Sequence, residues 1–288
     1  MNRIGYLIDG AASAQLPADD RGLQFGDGLF ETVAVVDGYP RLLEAHLQRL
    51  TRDAVALGLP EPDPDLIASE AVSLAAWAGD CGVLKILWTG GSGGRGYARP
   101  QKPSPRRILS LHPAPAHPRR YWEQGVRATV TTVRLARQPL LAGIKHLNRL
   151  EQVLARAQWD GQDAAEGLMR DEAGHVVEGT MSNLFIVREG AVITPDLTGC
   201  GIAGVMRRTL MDYLSRQGRP VAEQNVDQAV LGAADEVFVC NSVNGVWPVC
   251  EVAGSARWPV GPVTRELQHW IDEQGHACTP ALRGAESE

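Results

Sequence analysis

The sequence predicts an α/β (α+β) fold of two domains, in which mixed sheets are flanked by helices. Three observations carry this. Short β-branched or apolar runs bounded by Gly, Asp and Pro are interspersed with stretches whose leucines recur at helical spacing. A chain of 288 residues that is 44% hydrophobic has material for two cores of ordinary size. The segment His112-Pro113-Ala114-Pro115-Ala116-His117-Pro118 sets three prolines at alternate positions, which suits an extended linker and neither a helix nor a central strand. The spacing therefore predicts a smaller N-terminal α/β domain over 1–111, a linker over 112–118 and a larger C-terminal domain over 119–288.

The elements follow in order. Ile4 to Ile8 alternates as a strand, and Asp9-Gly10 turns the chain. Thr32 to Val36 is β-branched and meets Asp37-Gly38, then Tyr39 to Leu42, as a hairpin. Leu43, Leu47, Leu50, Ala54 and Leu57 then recur at helical spacing until Gly58. A second helix is expected over Asp65 to Ala78, and strands over Gly82 to Thr89 and Arg107 to His112. Past the linker, Arg127 to Val133 reads as a strand and Leu147 to Trp159 as an amphipathic helix. Gly167 to Arg170, Asn183 to Val187 and Ala191 to Thr194 read as short strands. A helix over Gly204 to Arg216 leads to strands at Pro220 to Gln224 and Glu236 to Cys240.

Bulk properties exclude several function classes. The net charge of −6 repels phosphate backbones, so nucleic acid is not an expected partner. No apolar run reaches the length of a membrane span, and Asp9, Asp19, Asp20 and Asp27 interrupt the first thirty residues where a signal peptide would need an apolar stretch. The five cysteines, Cys81, Cys200, Cys240, Cys250 and Cys278, are scattered and odd in number. Neither a disulfide framework nor a metal site is expected; reduced thiols in a cytoplasmic protein are. Of 28 basic residues only Lys85, Lys102 and Lys145 are lysines, so a lysine kept against that bias is a candidate for work that needs an amine.

Five places in the chain could carry chemistry. Lys145 follows Leu140-Leu141-Ala142-Gly143-Ile144 and precedes a helix, so its amine could be partly desolvated and nucleophilic; a lysine snorkelling at a helix end has the same signature. Glu178 follows Val176-Val177 and precedes Gly179-Thr180-Met181-Ser182-Asn183, which suits either a carboxylate held beside a cofactor or one capping a turn. Gly199 to Arg208 sets glycines before a helix N-terminus, a phosphate seat or a plain loop. Gly90 to Tyr97 is the most glycine-rich segment, but it lacks the Gly-Lys-Ser/Thr ending of a nucleotide loop. It reads better as a mobile loop presenting Arg95 and Tyr97 to a carboxylate, or as a solvated loop. Arg49, among the leucines of its helix, either points to a cleft or is solvated.

Taken together and in this order, these segments resemble the fold-type IV pyridoxal-5′-phosphate (PLP) enzymes over nearly the whole chain. The matching pieces are Gln24-Phe25-Gly26-Asp27-Gly28-Leu29-Phe30-Glu31-Thr32, His46 to Leu50, Gly93 to Tyr97, the Lys145 stretch, Glu178 to Asn183, Gly204 to Arg207 and Asp235 to Ser242. Within that family, Leu141-Ala142-Gly143-Ile144-Lys145-His146-Leu147-Asn148-Arg149-Leu150-Glu151-Gln152-Val153 is most similar to the aminodeoxychorismate lyases, as are Ser92 to Tyr97 and Cys240-Asn241. Glu31 is the residue usual among the transaminases, some lyases having threonine there, and Gly90 stands where many relatives have arginine. The resemblance implies a PLP-dependent lyase that converts 4-amino-4-deoxychorismate to 4-aminobenzoate, a folate precursor, and pyruvate. The alternatives are a D-amino-acid or branched-chain aminotransferase and, more distantly, a non-catalytic anion- or nucleotide-binding protein. It implies that Lys145 holds the cofactor covalently, that Glu178 pairs with its pyridine nitrogen, and that Arg49, the amides of Val205 and Met206, and Ser242 hold its phosphate. It places Arg95, Tyr97, Phe30 and Asn241 at the substrate, with Arg95 and Tyr97 coming from the neighbouring subunit of a homodimer.

Overall fold

The computed structural model describes residues 5–159 and 164–282; Ile4, the expected start of the first strand, lies outside them. Two sheets organise the chain. The first contains β1 (Gly5–Ile8), β2 (Ala11–Ala12), β3 (Gly28–Val36), β4 (Tyr39–Pro40), β5 (Cys81–Thr89) and β6 (Arg106–Pro113), in the antiparallel order β2-β1-β6-β5-β3-β4. With it come α1 (Arg21–Phe25), α2 (Leu43–Ala56) and α3 (Pro64–Ala75). Asp63 caps α3, accepting from the Asp65 and Leu66 amides at 3.1 Å each, with Pro64 at the first helical position. Along β3, Leu29, Val33 and Val35 meet Leu47, Leu50 and Ala54 of α2 and Ile67, Ala71 and Leu74 of α3 in one buried core. By strand alternation Phe30 and Thr32 face the other way.

The second sheet contains β7 (Val126–Leu135), β8 (Glu166–Asp171), β9 (Val176–Gly179), β10 (Asn183–Arg188), β11 (Ala191–Pro195), β12 (Ala222–Gln224), β13 (Glu236–Asn241), β14 (Gly245–Val252) and β15 (Ala256–Arg257). Its order is β12-β11-β10-β13-β14-β7-β8-β9, and β9 also pairs with β10 through Asn183 and Glu178. That one bridge closes six of the strands into a ring. Alternation then sorts the side chains. Leu184, Ile186, Val237 and Val239 pack with Val126, Leu168 and Trp247, while Phe185, Val187, Phe238 and Cys240 pack outside against helices. Those helices are α6 (Val205–Arg216) and α8 (Pro262–Gln274), which contribute Met206, Leu210, Leu214, Leu267 and Ile271. Shorter helices α4 (Arg120–Glu123), α5 (Leu150–Arg156) and α7 (Gln228–Gly232) complete the fold.

Several expected boundaries move. The helix expected from Leu147 begins at Leu150: Arg149 before it is non-helical (φ −119°, ψ 23°), and the Leu147 amide bonds to the Gly28 carbonyl at 2.9 Å. The apolar face of α5 looks outward: Leu150 is 68% exposed, Val153 60% and Leu154 54%. The helix expected to Ala78 ends at Ala75, and the strand expected from Pro220 begins at Ala222. The returning arm of the Tyr39–Leu42 hairpin is shortened to Tyr39–Pro40, since Leu42 adopts a left-handed conformation (φ 52°) to enter α2. Proline-rich residues 114–118 lie between the last strand of the first sheet and α4.

Candidate active site

A cavity of about 630 Å³ opens between the two sheets. Phe30, Thr32 and Val83 line it from the first sheet, Glu178, Asn183 and Cys240 from the second, and Pro115 and His117 from the proline-rich segment.

Lys145 reaches this cavity because its backbone is pinned on three sides. Its amide donates to Asp53 Oδ2 of α2 at 3.0 Å, and its carbonyl accepts from the Phe30 amide at 3.1 Å. Two residues earlier, Gly143 (φ 79°) pairs with Gly201 and Ala203 before α6. The side chain lies over the Phe30 ring, with Nζ 4.1 Å from the ring centroid. Desolvation and the nearby guanidinium of Arg49 pull its pKa down from 10.5 to about 7. An amine in this state is neutral in half its copies near neutral pH, as a nucleophile or proton acceptor must be. Of the two readings open at the sequence level, the snorkelling one fails.

Glu178 sits at the ring-closing bridge with Asn183. It is 3% exposed and accepts from the Ile202 amide at 2.8 Å. Burial raises its pKa from 4.5 to about 7, against the pull of that amide and of Arg149 and Lys145. A cation set beside it would hold it ionised. The turn that follows is held by Glu166, a fully buried residue that accepts from Thr180 Oγ1 and Ser182 Oγ at 2.6 Å each and from the Thr180 and Gly167 amides. Thr180, Met181 and Ser182 line the cavity, so Glu166 sets the shape of that wall from behind.

Helix α6 starts at the cavity. Gly204 is its N-cap, no side chain caps its first turn, and Val205 and Met206 line the cavity. Their amides therefore have no intrahelical partner and stand at the positive end of the helix. A Cβ on Gly204 would come within 2.0 Å of Asn183 Oδ1 and would have to displace that side chain, which donates from Nδ2 to the Ile202 carbonyl at 2.8 Å. Ser242 and Asn241 line the cavity from the end of β13; Asn241 Oδ1 is occupied by the Val243 and Asn244 amides at 2.9 and 2.8 Å.

Arg49 also lines the cavity, but it is not a free cation. Glu31 engages it from two nitrogens, at 2.8 Å to Nε and in a shorter contact to Nη2, and Nη1 donates to the Ala203 carbonyl at 3.0 Å. Glu31 belongs to the face of β3 that packs on α2, and His46 Nδ1 meets it at 2.6 Å. The arginine thereby ties α2 to the loop that leads into α6.

With this geometry in place, similarity to known proteins becomes decisive. The family model described as amino-transferase class IV matches residues 28–252. The chain belongs to the class IV aminotransferase family. An aminodeoxychorismate lyase from Vibrio harveyi is 38% identical over 266 residues, covering 91% of this chain and 98% of that protein. A crystal structure of 4-amino-4-deoxychorismate lyase from Pseudomonas aeruginosa superposes with a TM-score of 0.89 at 51% identity, covering 93% of this chain and 98% of that one. A hypothetical aminotransferase from Mycobacterium tuberculosis in its PLP-bound form superposes with a TM-score of 0.81 at 25% identity, over 93% and 97% of the two chains.

PLP is the group bound in that last structure. The residues present fit it: an amine of lowered pKa, a buried carboxylate for a pyridinium, an uncapped helix start for a phosphate, and room for both cofactor and substrate. When bound, PLP supplies a conjugated ring that accepts the electron pair left by deprotonation.

Two expected residues are not brought to the cavity of this chain. Arg95 and Tyr97 lie on an exposed loop, Tyr97 at 87% exposure, and neither lines the cavity. Arg21 holds this loop by its carbonyls, donating to Gly93, Gly96, Tyr97 and Ala98 at 3.0–3.4 Å. A phosphate cradle needs amides turned inward; here carbonyls are, which removes the nucleotide-loop reading. Thr32, Arg149, Gln152, Arg156 and His117 line the cavity without having been singled out from sequence. For Arg149 the signal lay in plain view, a second cation four residues beyond Lys145.

Proposed function

We propose that this chain is a PLP-dependent lyase that converts 4-amino-4-deoxychorismate to 4-aminobenzoate and pyruvate. The observation that carries the chemistry is the Lys145 amine, held near its neutral form in a cavity opposite a buried carboxylate. The choice of lyase is supported by the two aminodeoxychorismate lyases at 38% and 51% identity. In this reading Lys145 accepts the proton from the carbon that bears the substrate's nitrogen. Glu178 holds the cofactor's ring nitrogen protonated. The carbon–oxygen bond to the enolpyruvyl arm then breaks, the arm leaves as pyruvate after gaining a proton, and the ring becomes aromatic. Phe30 sets its ring centroid 4.1 Å from the Lys145 amine. Val205, Met206, Arg49 and Ser242 seat the phosphate, Arg49 mainly by bracing the Ala203 end of the seat, and Asn241 contributes its amide nitrogen to the substrate.

Branched-chain and D-alanine aminotransferases are also among the relatives, so the competing outcome is amino-group transfer. Holoenzyme is expected to release 4-aminobenzoate and pyruvate in equal amounts from aminodeoxychorismate, and to turn over D-alanine or leucine at least about a hundredfold more slowly. Fast amino transfer with no 4-aminobenzoate would replace the lyase with a transaminase.

A homodimer is part of the same reading. Leu140 (81% exposed), Leu150, Val153, Leu154 and Met181 are apolar side chains that a single chain leaves uncovered, and Val153 and Met181 line the cavity. A second copy would cover them and could bring its Arg95 and Tyr97 loop to this cavity. Light scattering should give twice 31.1 kDa; a monomer at micromolar concentration, active as such, removes both the dimer and those two residues from the site. Among the described residues no helix is long and apolar enough to cross a membrane; a cytoplasmic placement belongs to the same proposal.

A further inference from the structure

We propose that Arg149 receives a carboxylate of the substrate inside the cavity and so selects for an anionic substrate. The identity of that carboxylate rests on the lyase reading above; the charge that attracts it does not.

Arg149 lies four residues beyond Lys145, immediately before α5, and lines the cavity. It is half-buried. Its Nε donates to the His146 carbonyl at 3.0 Å, and Nη2 contacts the His146 ring at 2.6 Å. Burial and the arginine itself push the His146 pKa down to about 4, so that ring is neutral near pH 7 and accepts without cancelling charge. Among the described residues no carboxylate pairs with the guanidinium, and no protein acceptor meets Nη1. Glu178 and Glu151 are the acids that act on it through space. Glu178 is turned to the Ile202 amide at 2.8 Å, and Glu151 to the Ala136 amide at 2.9 Å.

The other cations at the cavity are committed. Arg49 is closed by Glu31, Lys145 is the reacting amine, and Arg156 stacks on Trp159 at 4.9 Å. A partly desolvated guanidinium without a counter-charge is costly to keep, and a bound anion repays that cost. The planar fork suits a carboxylate, which it can grip with two parallel N–H···O bonds. Phe30, Val83, Val153 and Met181 supply apolar walls nearby, so the ligand chemistry that fits is a flat or ring-bearing carboxylate.

The test uses holoenzyme and a probe that cannot react, benzoate, with benzamide as its uncharged counterpart, both titrated by calorimetry. The parent should prefer benzoate. Arg149→Gln should raise the benzoate Kd about tenfold or more and leave benzamide unchanged, while Arg149→Lys recovers part of the loss. KM for the anionic substrate should rise more than kcat falls, and the cofactor's visible band should stay in place. An unchanged benzoate Kd in Arg149→Gln, or a parent with no preference for benzoate, overturns the proposal. So does a shifted cofactor band with benzoate affinity intact, which would assign the guanidinium to the cofactor instead. Absence of 4-aminobenzoate formation would sink the lyase reading yet leave this titration standing.

Discussion

Replacing Lys145 by alanine or by arginine is expected to lower turnover by about a thousandfold or more while leaving the fold intact. The two variants fail for one reason. Alanine removes the amine, and arginine keeps a charge but stays protonated, so neither offers a lone pair to the cofactor or to a substrate proton. The fold should survive because Lys145 is held through its backbone, by Asp53 and by the Phe30 amide, and neither contact uses the side chain. The pH dependence is specific. With the pKa lowered to about 7, protonation disables the amine as pH falls through 7, whereas an ordinary lysine would already be disabled below about 10.5. Covalent capture of PLP by the apoprotein should therefore proceed almost fully at pH 8 and fall about tenfold by pH 6. Borohydride reduction followed by peptide mapping should find the label on Lys145 in the parent and nowhere in either variant. Near-parent turnover in Lys145→Arg, or a capture midpoint above pH 9, would show that this amine is not the reactive one.

Much of this site is legible in sequence because its key residues sit in consecutive stretches whose local physics is unusual. Lys145 follows apolar residues and a glycine; Glu178 sits between a β-branched pair and small polar residues; Gly204 precedes a helix. The structure brings all three to one cavity. Arg49 and Glu31 show where reading stops. Each stands out singly, but only the register of β3 against α2 shows that they meet. Period-two alternation puts Glu31 on the α2 face while Phe30 and Thr32 face the cavity. Glu31 therefore says little about lyase against transaminase through direct contact with substrate. Arg95 and Tyr97 lie exposed on their loop, away from the cavity of their own chain. The start of α5 likewise depends on contacts that are distant in sequence. Leu147 continues the helical pattern, but its amide bonds across to Gly28 and Arg149 is non-helical, so the helix starts three residues later. Neither that bond nor the Asp53 support of Lys145 has a local signature, because each joins residues about a hundred positions apart.

Glu31→Ala is expected to be the most destabilising single change near the site, costing on the order of 3–5 kcal/mol. Glu31 is fully buried between Arg49 and His46, and removing it leaves a buried guanidinium without its carboxylate. The same magnitude follows from titration. Although burial acts the other way, Arg49 and His46, by charge and by hydrogen bond, hold the Glu31 pKa at about 2 against an ordinary 4.5. That difference is worth roughly 3 kcal/mol. A depressed carboxylate pKa stabilises the fold above the unfolded value of 4.5, and the contribution is lost as pH falls through 4.5 toward 2. His46 does not offset this. Burial lowers its pKa below 6.5, so at pH 7 it is neutral and donates from Nδ1, leaving Nε2 as an unpartnered lone pair and not a stranded N–H. Thermal melts at pH 7 should show Glu31→Ala lower by roughly 6–20 °C. At pH 2 the gap should shrink, because the parent has by then lost much of what the variant never had. The double variant Glu31→Ala with Arg49→Ala should be less destabilised than the sum of the two single variants, since the charge left stranded in each is absent in the pair. A pH-independent gap, or strictly additive losses, would mean that the cluster acts by packing alone and that Glu31 does not position Arg49.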